Sequence, residues 1–303
     1  MDEGMTIVGL GESLWDLLPS GKQLGGTPLN VAVHAQQLLG ERGGRGIAAT
    51  SVGVDRLGDE MIAELAARGM SIEHVQRDLT HPTGTVQVEL RDGQLDYQFV
   101  SDVAWDHLEF TSSLANLASS CSAVCFGTLA QRAVESRETI WRFLDAAKHA
   151  TRLLDVNLRP PFYTQRVLEE SCRRASIVKL SEQELPTVVE ALVLPVGAPV
   201  FQLAQLRARY ELDAVVYTRG QRGTMVVLQD KVISPPAVSY PFAADADTVG
   251  AGDACAAAIL AGWALGLPPA KIAEVANHMG AFVASSSGAT PTLPPNITQL
   301  LNS

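Results

Sequence analysis

At 303 residues, 47% of them hydrophobic, the chain can bury a large core as two domains or as one big α/β domain, which argues against disorder. A formal net charge of −10 argues against a broad nucleic-acid surface, but a small polyanion can still be held by backbone amides, a few placed bases and a bound cation. The opening MDEGMTIVGLGES carries acids where a secretory signal carries bases, and no apolar window reaches bilayer length, so a soluble cytoplasmic protein with no membrane partner is expected.

Apolar runs bounded by turn residues recur along the chain. TIVGLG comes first, and SLWDLLPSGKQLGG then reads as short strands around a turn at Pro19 to Gly21. GGTPLNVAVHAQQLL places two glycines and a turn before a helix with Asn30 in its opening turn. Asn30 serves there as a plain helix-start residue, and Asp16 as a turn acid. In combination the two also suit a hydroxyl-rich ligand, because carboxylates and amides make several hydrogen bonds to adjacent hydroxyls.

Residues Thr83 to Ser101 alternate in polarity around Asp92-Gly93, the pattern of an antiparallel hairpin. With segment 12–25 it is expected to form a small sheet standing off a main one. SAVCFGTL, TRLLDVNL, ASIVKLS and AVVYTRG then read as strands separated by helical patterns such as Ser136 to Ala150 and Val167 to Arg174. This βα alternation predicts a largely parallel sheet whose C-terminal strand ends carry the ligand. No repeat or long linker divides the chain, so one domain over 1–303 is expected.

Polar residues follow several of these strands. Asp155, Asn157 and Arg159 occupy every second position of LLDVNLRP, as if projecting from one face at the sheet edge. VKLSEQEL places Lys179 at a strand end, then Ser181 and Glu184. Helix-start capping accounts for it, and so does a phosphate on Lys179 with a metal's water shell on Glu184. Thr218, Gly220 and Gly223 sit in an ordinary hairpin turn that can also let a nucleotide lie against bare backbone.

Near the C-terminus DTVGAGDACAAAIL runs from Asp247 through Gly250, Ala251 and Gly252 to Asp253 and then becomes apolar. Such a junction offers uncovered N–H groups and a positive dipole end to an anion, while Asp253 alone can simply complement the dipole. Cys121, Cys125, Cys172 and Cys255 lack C-x-x-C spacing and the six histidines are scattered, so buried free thiols and no structural zinc are expected.

Taken in order, GESLWDLLP, GGTPLNVAVHAQQLLG, PTGTVQVEL, FGTLAQR, DVNLRP, VKLSEQEL, TRGQRG and DTVGAGDA resemble the ribokinase-like (PfkB-type) family of sugar kinases, and specifically its fructokinase-like members. The resemblance implies a three-layer α/β/α sandwich with a mostly parallel central sheet and a small β-sheet lid. It implies ATP-dependent transfer of the γ-phosphoryl group to a sugar hydroxyl. Carried over, Asp253 is the base and Gly250, Ala251 and Gly252 the anion hole. Asp16, Gly26 and Asn30 meet the sugar, while Thr218, Gly220 and Gly223 meet the nucleotide, with Asn277 near the adenine. Glu184 meets Mg2+ through water, and Asp247 with the carbonyls of Val249, Val283, Ser286 and Gly288 holds a monovalent cation, K+.

Two positions depart from the family pattern. Cys255 stands where an aromatic is usual, and Ser181 where the metal-site motif has Asn. The substrate expected is fructose or a similar ketose. The alternatives are 2-keto-3-deoxygluconate, ribose or a nucleoside, or a silent sugar or nucleotide sensor on the same scaffold. LDYQFVS lacks the Tyr-Tyr-Arg pattern of the keto-acid kinases, although Arg159 remains as a carboxylate partner. Val86, Val88 and Leu90 give the lid hairpin one apolar face, from which a homodimer through the lid is expected.

Overall fold

The structure, a computed structural model, describes residues 4–18, 21–91 and 94–302, with backbone alone over 88–91, 94–97 and 302. The expected turns at Asp92-Gly93 and at Pro19 fall outside these residues, as do the side chains of Val88 and Leu90.

The first third of the chain holds β1 (Thr6–Leu10), β2 (Leu14–Leu18), β3 (Gly21–Gly25), α1 (Thr27–Leu39), β4 (Arg45–Gly53), α2 (Arg56–Ala67), β5 (Val75–Asp78), β6 (Thr85–Arg91) and β7 (Gln94–Phe99). Then follow α3 (Ser112–Ser120), β8 (Ala123–Gly127), α4 (Val134–Ala146), β9 (Thr151–Asp155), α5 (Gln165–Arg174), β10 (Ile177–Ser181), α6 (Leu185–Ala191) and α7 (Pro199–Arg209). The last part comprises β11 (Ala214–Thr218), β12 (Thr224–Val227), β13 (Val232–Ile233), α8 (Ala251–Ala264), α9 (Pro269–Ala284) and α10 (Pro295–Thr298).

The main sheet runs β13-β12-β11-β10-β9-β8-β1-β4-β5. It is parallel from β11 to β5 and antiparallel at β12 and β13. Because helices cover both faces, its inner strands are mainly apolar rather than alternating, while the edge strand β5 carries Gln76, Arg77 and Asp78. Ile7, Ala123, Cys125, Leu153 and Ile177 pack toward α1, α8 and α9, while Val8, Val124, Phe126, Leu154 and Val178 pack toward α3 to α7. Each such buried Leu, Val, Ile or Phe contributes about 1.5–3 kcal/mol, enough in sum to hold the strand ends still. All four cysteines are buried and free, as the sequence implies.

Helix boundaries differ from the pattern at two places. α4 stops at Ala146 because Arg152 draws the carbonyls of Lys148 and Ala150 onto its guanidinium, turning the chain into β9. α5 begins two residues early, at Gln165, because Thr164 accepts the Val167 N–H and caps it.

The small sheet has the order β3-β2-β6-β7. Its halves come from distant segments, antiparallel within each and joined by parallel pairing of β2 with β6. Val86, expected on a wet apolar face awaiting a second subunit, is 1% exposed in the single chain and packs with Leu14, Leu18 and Phe99. That position therefore gives no support to an interface between copies.

Candidate active site

A cleft of 680 Å³ opens between the small sheet and the C-terminal ends of the main strands. It collects Asp16, Gly26, Asn30, Asn157, Arg159, Lys179, Glu184, Thr218, Val249, Gly250, Gly252 and Asp253 from separate stretches of chain, together with Glu12, Thr27 and Asp155.

The floor is the mouth of α8. This helix is almost wholly apolar and buried from Ala254 to Gly262, which fixes its axis. Its N-cap, Gly250, takes φ 77°, a left-handed conformation that L side chains avoid, and an added Cβ would lie 2.2 Å from the Ala289 carbonyl oxygen. Asp247 shapes the approach, accepting the Val249 N–H at 2.9 Å. The turn thus presents the N-terminal end of a long helix to the cleft, lined there by Gly250, Gly252 and Asp253, while the Ala251 N–H reaches the Thr248 carbonyl at a long 3.4 Å.

Asp253 is gripped from two directions. Asn30 of α1 donates to its Oδ2 at 2.8 Å, and Thr27 donates through its hydroxyl. Asn157 in turn donates to Thr27 Oγ1. Burial pushes the Asp253 carboxyl above its ordinary value, and the hydrogen bonds from Asn30 and Thr27, with the charges of Lys179 and Arg159, pull the other way. Asn30 Oδ1 is buried without a partner and so is free to accept from a ligand hydroxyl.

Asp16 enters from β2. Its carboxylate lies so close to Gly25 that a Cβ there would come within 2.4 Å of Oδ2. Burial raises it to about 6, against the opposing field of Arg159 and with the help of Asp253 and Asp247. Glu12, at the end of β1, is fully buried and pushed up to about 7, chiefly by that burial, and its Oε2 has no partner. The sequence reading passed over Glu12. Its only local signal is a carboxylate directly after the apolar strand and Gly11.

Asp155, Asn157 and Arg159 all reach the cleft, but not by strand alternation. β9 ends at Asp155, and Asn157 turns into the left-handed region at φ 36°. Asp155 Oδ2 instead accepts from Lys179 Nζ at 2.7 Å, a buried pair. Burial opposes the lysine's charge, but Asp155 outweighs it and holds the ammonium protonated beside Gly252. Ser181, in place of Asn, donates its hydroxyl to Glu184 Oε2 at 2.7 Å, and the N–H groups of Ser181 and Leu158 complete the grip on that carboxylate.

The remaining residues are placed less directly. Thr218 lines the cleft, whereas Gly220 and Gly223 form the turn beside it and Asn277 stands behind that turn. Asn277 is 5% exposed, accepting from Thr224 N–H at 2.7 Å and donating to the Pro236 carbonyl at 3.0 Å, so its amide anchors the turn. Asp247 N–H donates to the Ser286 carbonyl at 3.2 Å, which sets the end of α9, including Val283, against the loop before α8, with Gly288 following. Cys255 meets Thr224 Oγ1 at 3.6 Å, ordinary packing.

A carboxylate at a helix mouth, facing acids and amides suited to hydroxyls, is an arrangement chemically suited to phosphoryl transfer onto a polyhydroxylated acceptor. Comparison with known proteins places it further. Residues 20–296 match the model of the pfkB family carbohydrate kinases. The chain is 31% identical to a fructokinase of Salmonella typhimurium over 94% of its own length and 95% of that protein's. A fructokinase of Xylella fastidiosa with bound ATP superposes with a TM-score of 0.83 at 22% identity, covering 98% of both chains. A double mutant of the Vibrio cholerae O395 fructokinase, bound to fructose, ADP and potassium, gives 0.81 at 23% identity, covering 99% of this chain and 98% of that one. The chain belongs to the pfkB carbohydrate kinase family, and it is a sugar kinase with the ribokinase-like fold.

Among the described residues no helix is long and apolar enough to cross a membrane.

Proposed function

We propose that the enzyme transfers the γ-phosphoryl group of ATP to a hydroxyl of fructose or a similar ketose. The observation that carries this is Asp253 itself, held by Asn30 and Thr27 one turn from the uncovered amides that begin α8. In this reading Asp253 accepts the sugar hydroxyl proton as the oxygen attacks the γ-phosphorus and ADP departs. Its raised pKa makes it a better proton acceptor than an ordinary surface aspartate. The amides of Gly250, Ala251 and Gly252, the α8 dipole and Lys179 oppose the charge on the phosphoryl oxygens.

Asp16, Gly26, Asn30, Asn157 and Arg159 receive the sugar. Thr218, Gly220 and Gly223 receive the nucleotide, with Asn277 as the anchor behind them. Glu184 suits Mg2+ through water, since its Oε1 keeps a lone pair beyond the hydrogen bond from Leu158, and the ion would supply charge neutralisation on the triphosphate. Asp247 suits K+ together with the carbonyls of Val249, Val283, Ser286 and Gly288, because its backbone N–H meets the Ser286 carbonyl and so sets that residue beside the C-terminus of α9, where carbonyls are exposed.

A neutral sugar is favoured over a keto acid by the charges around the acceptor. Asp16 and Asp253 line that end with Asp247 near Asp16, and Arg159 already lies in the field of Asp16 and Asp253. An ADP-release assay over ketoses, aldoses, keto acids and nucleosides tests the assignment. Fructose or a near ketose should give the highest kcat/KM. A lead of roughly tenfold for 2-keto-3-deoxygluconate, ribose or a nucleoside would overturn it.

A further inference from the structure

The lid hairpin of β6 and β7 is entered through residues 79–84 from β5 and left through residues from 100 onward. These stretches carry His81 on the one side and Asp102 and His107 on the other, with ligating atoms all within 4.8 Å of one another. His107 Nε2 lies 2.9 Å and His81 Nε2 3.8 Å from Asp102 Oδ1. The two imidazoles stack with centroids 3.6 Å apart.

Behind His81 stands a second carboxylate. Asp78 Oδ2 is 2.8 Å from His81 Nδ1, and Asp78 Oδ1 accepts the N–H groups of Thr80 and His81. Asp78 Oδ2 is placed to accept a proton carried on His81 Nδ1, which leaves Nε2 on the side of Asp102. A carboxylate behind a histidine, fixing its tautomer, is the arrangement that supports metal-ligating imidazoles.

We propose that His81, Asp102 and His107 form a site for a divalent first-row transition-metal ion of the zinc type at the root of the small sheet. Two imidazoles and a carboxylate suit zinc and its neighbours, whereas Mg2+ prefers an all-oxygen shell, so the site is chemically distinct from that of the nucleotide's metal. Three protein ligands leave a position for water. The side chains of His81, Asp102 and His107 are 26%, 75% and 28% exposed, which gives the ion a route in. It also leaves room for the stacked rings to swing apart so that both Nε2 atoms converge at roughly 2.0–2.1 Å from the metal. A bound ion would clamp the strand connection entering the lid hairpin to the one leaving it.

The test uses untagged, nucleotide-free protein stripped with a chelator, at pH 7.5. Zn2+ is titrated by calorimetry and Co2+ by its visible absorption, in the wild type, His107→Ala and His81→Gln. One equivalent should bind to the wild type at micromolar Kd or tighter, weaken at least tenfold in each variant, and raise Tm in the wild type alone. Asp102→Asn replaces either variant that fails to fold without metal. Wild-type binding weaker than roughly 100 μM, or affinity unchanged by the substitutions, would overturn the proposal.

Discussion

Asn30 donates a 2.8 Å hydrogen bond to Asp253 across 223 positions of sequence, joining the first turn of α1 to the first turn of α8. The bond sets the direction of the carboxylate and opposes the upward pull of burial on its pKa. Both helices begin at glycines and carry almost entirely buried faces, so neither end of the bond is free to drift.

Replacing Asp253 by Asn keeps the shape and removes the proton acceptor. kcat should fall by roughly 10² to 10⁴ while ATP affinity, held largely by backbone amides, changes little. If Asp253 only complemented the helix dipole, the loss would instead be about 0.3–1 kcal/mol of stability with turnover intact. Measuring kcat, nucleotide Kd and Tm on one preparation separates the two.

Asn30→Ala removes a donor that favours the ionised form of Asp253, so the pKa of Asp253 must rise. The acid limb of the kcat/KM profile should move to higher pH. Losing a charge-assisted hydrogen bond of about 1.5–3 kcal/mol corresponds to roughly 10- to 100-fold in kcat/KM at neutral pH. An unmoved acid limb would show that the pair does not tune the base.

Glu12 titrates at about 7 in the folded chain, against 4.5 for the ordinary group. Because the folded state binds this proton more tightly, stability is lost as pH rises from the unfolded value through the folded one. Glu12→Gln removes that loss. Without ligands, the stability difference between variant and wild type should grow in the variant's favour between pH 4.5 and 7, approaching about 3 kcal/mol and read as a widening gap in Tm. A difference that stays constant across this window counts against a buried protonated Glu12.

Activity should depend on potassium, because Asp247 both bonds the loop before α8 and meets the carbonyl end of α9. Replacing potassium by tetramethylammonium at constant ionic strength should lower kcat severalfold while Tm changes little. Equal turnover in both salts removes the cation from the mechanism.

What could be read from the sequence was what local pattern determines. The strand order of apolar runs, the off-sheet segments and the helix mouth at Gly250 to Asp253 all follow from spacing and composition, and the structure agrees with them. Asn157 was placed at the site for the wrong geometric reason, since alternation cannot foresee a left-handed residue just past a strand end. Pairing across the sheet was equally hidden: Lys179 looks like a free cation until β10 is laid beside β9 and Asp155 meets it. Glu12 escaped because a single acid after a strand is common, and its meaning comes only from the burial that tertiary packing imposes. Asn277 lies on an apolar helix whose partner turn is 53 residues away, so its anchoring bonds could not be seen in advance.

The parallel junction between β2 and β6 has a consequence for ligand exchange. Asp16 sits in that junction, opposite Val86 on one side and Gln23 on the other, so its carboxylate travels with both hairpins as a single body. If the small sheet swings away from the main one, a sugar hydroxyl bound to Asp16 is let go by the movement that readmits solvent to the cleft, and retention of the acceptor and exclusion of hydrolytic water become one equilibrium.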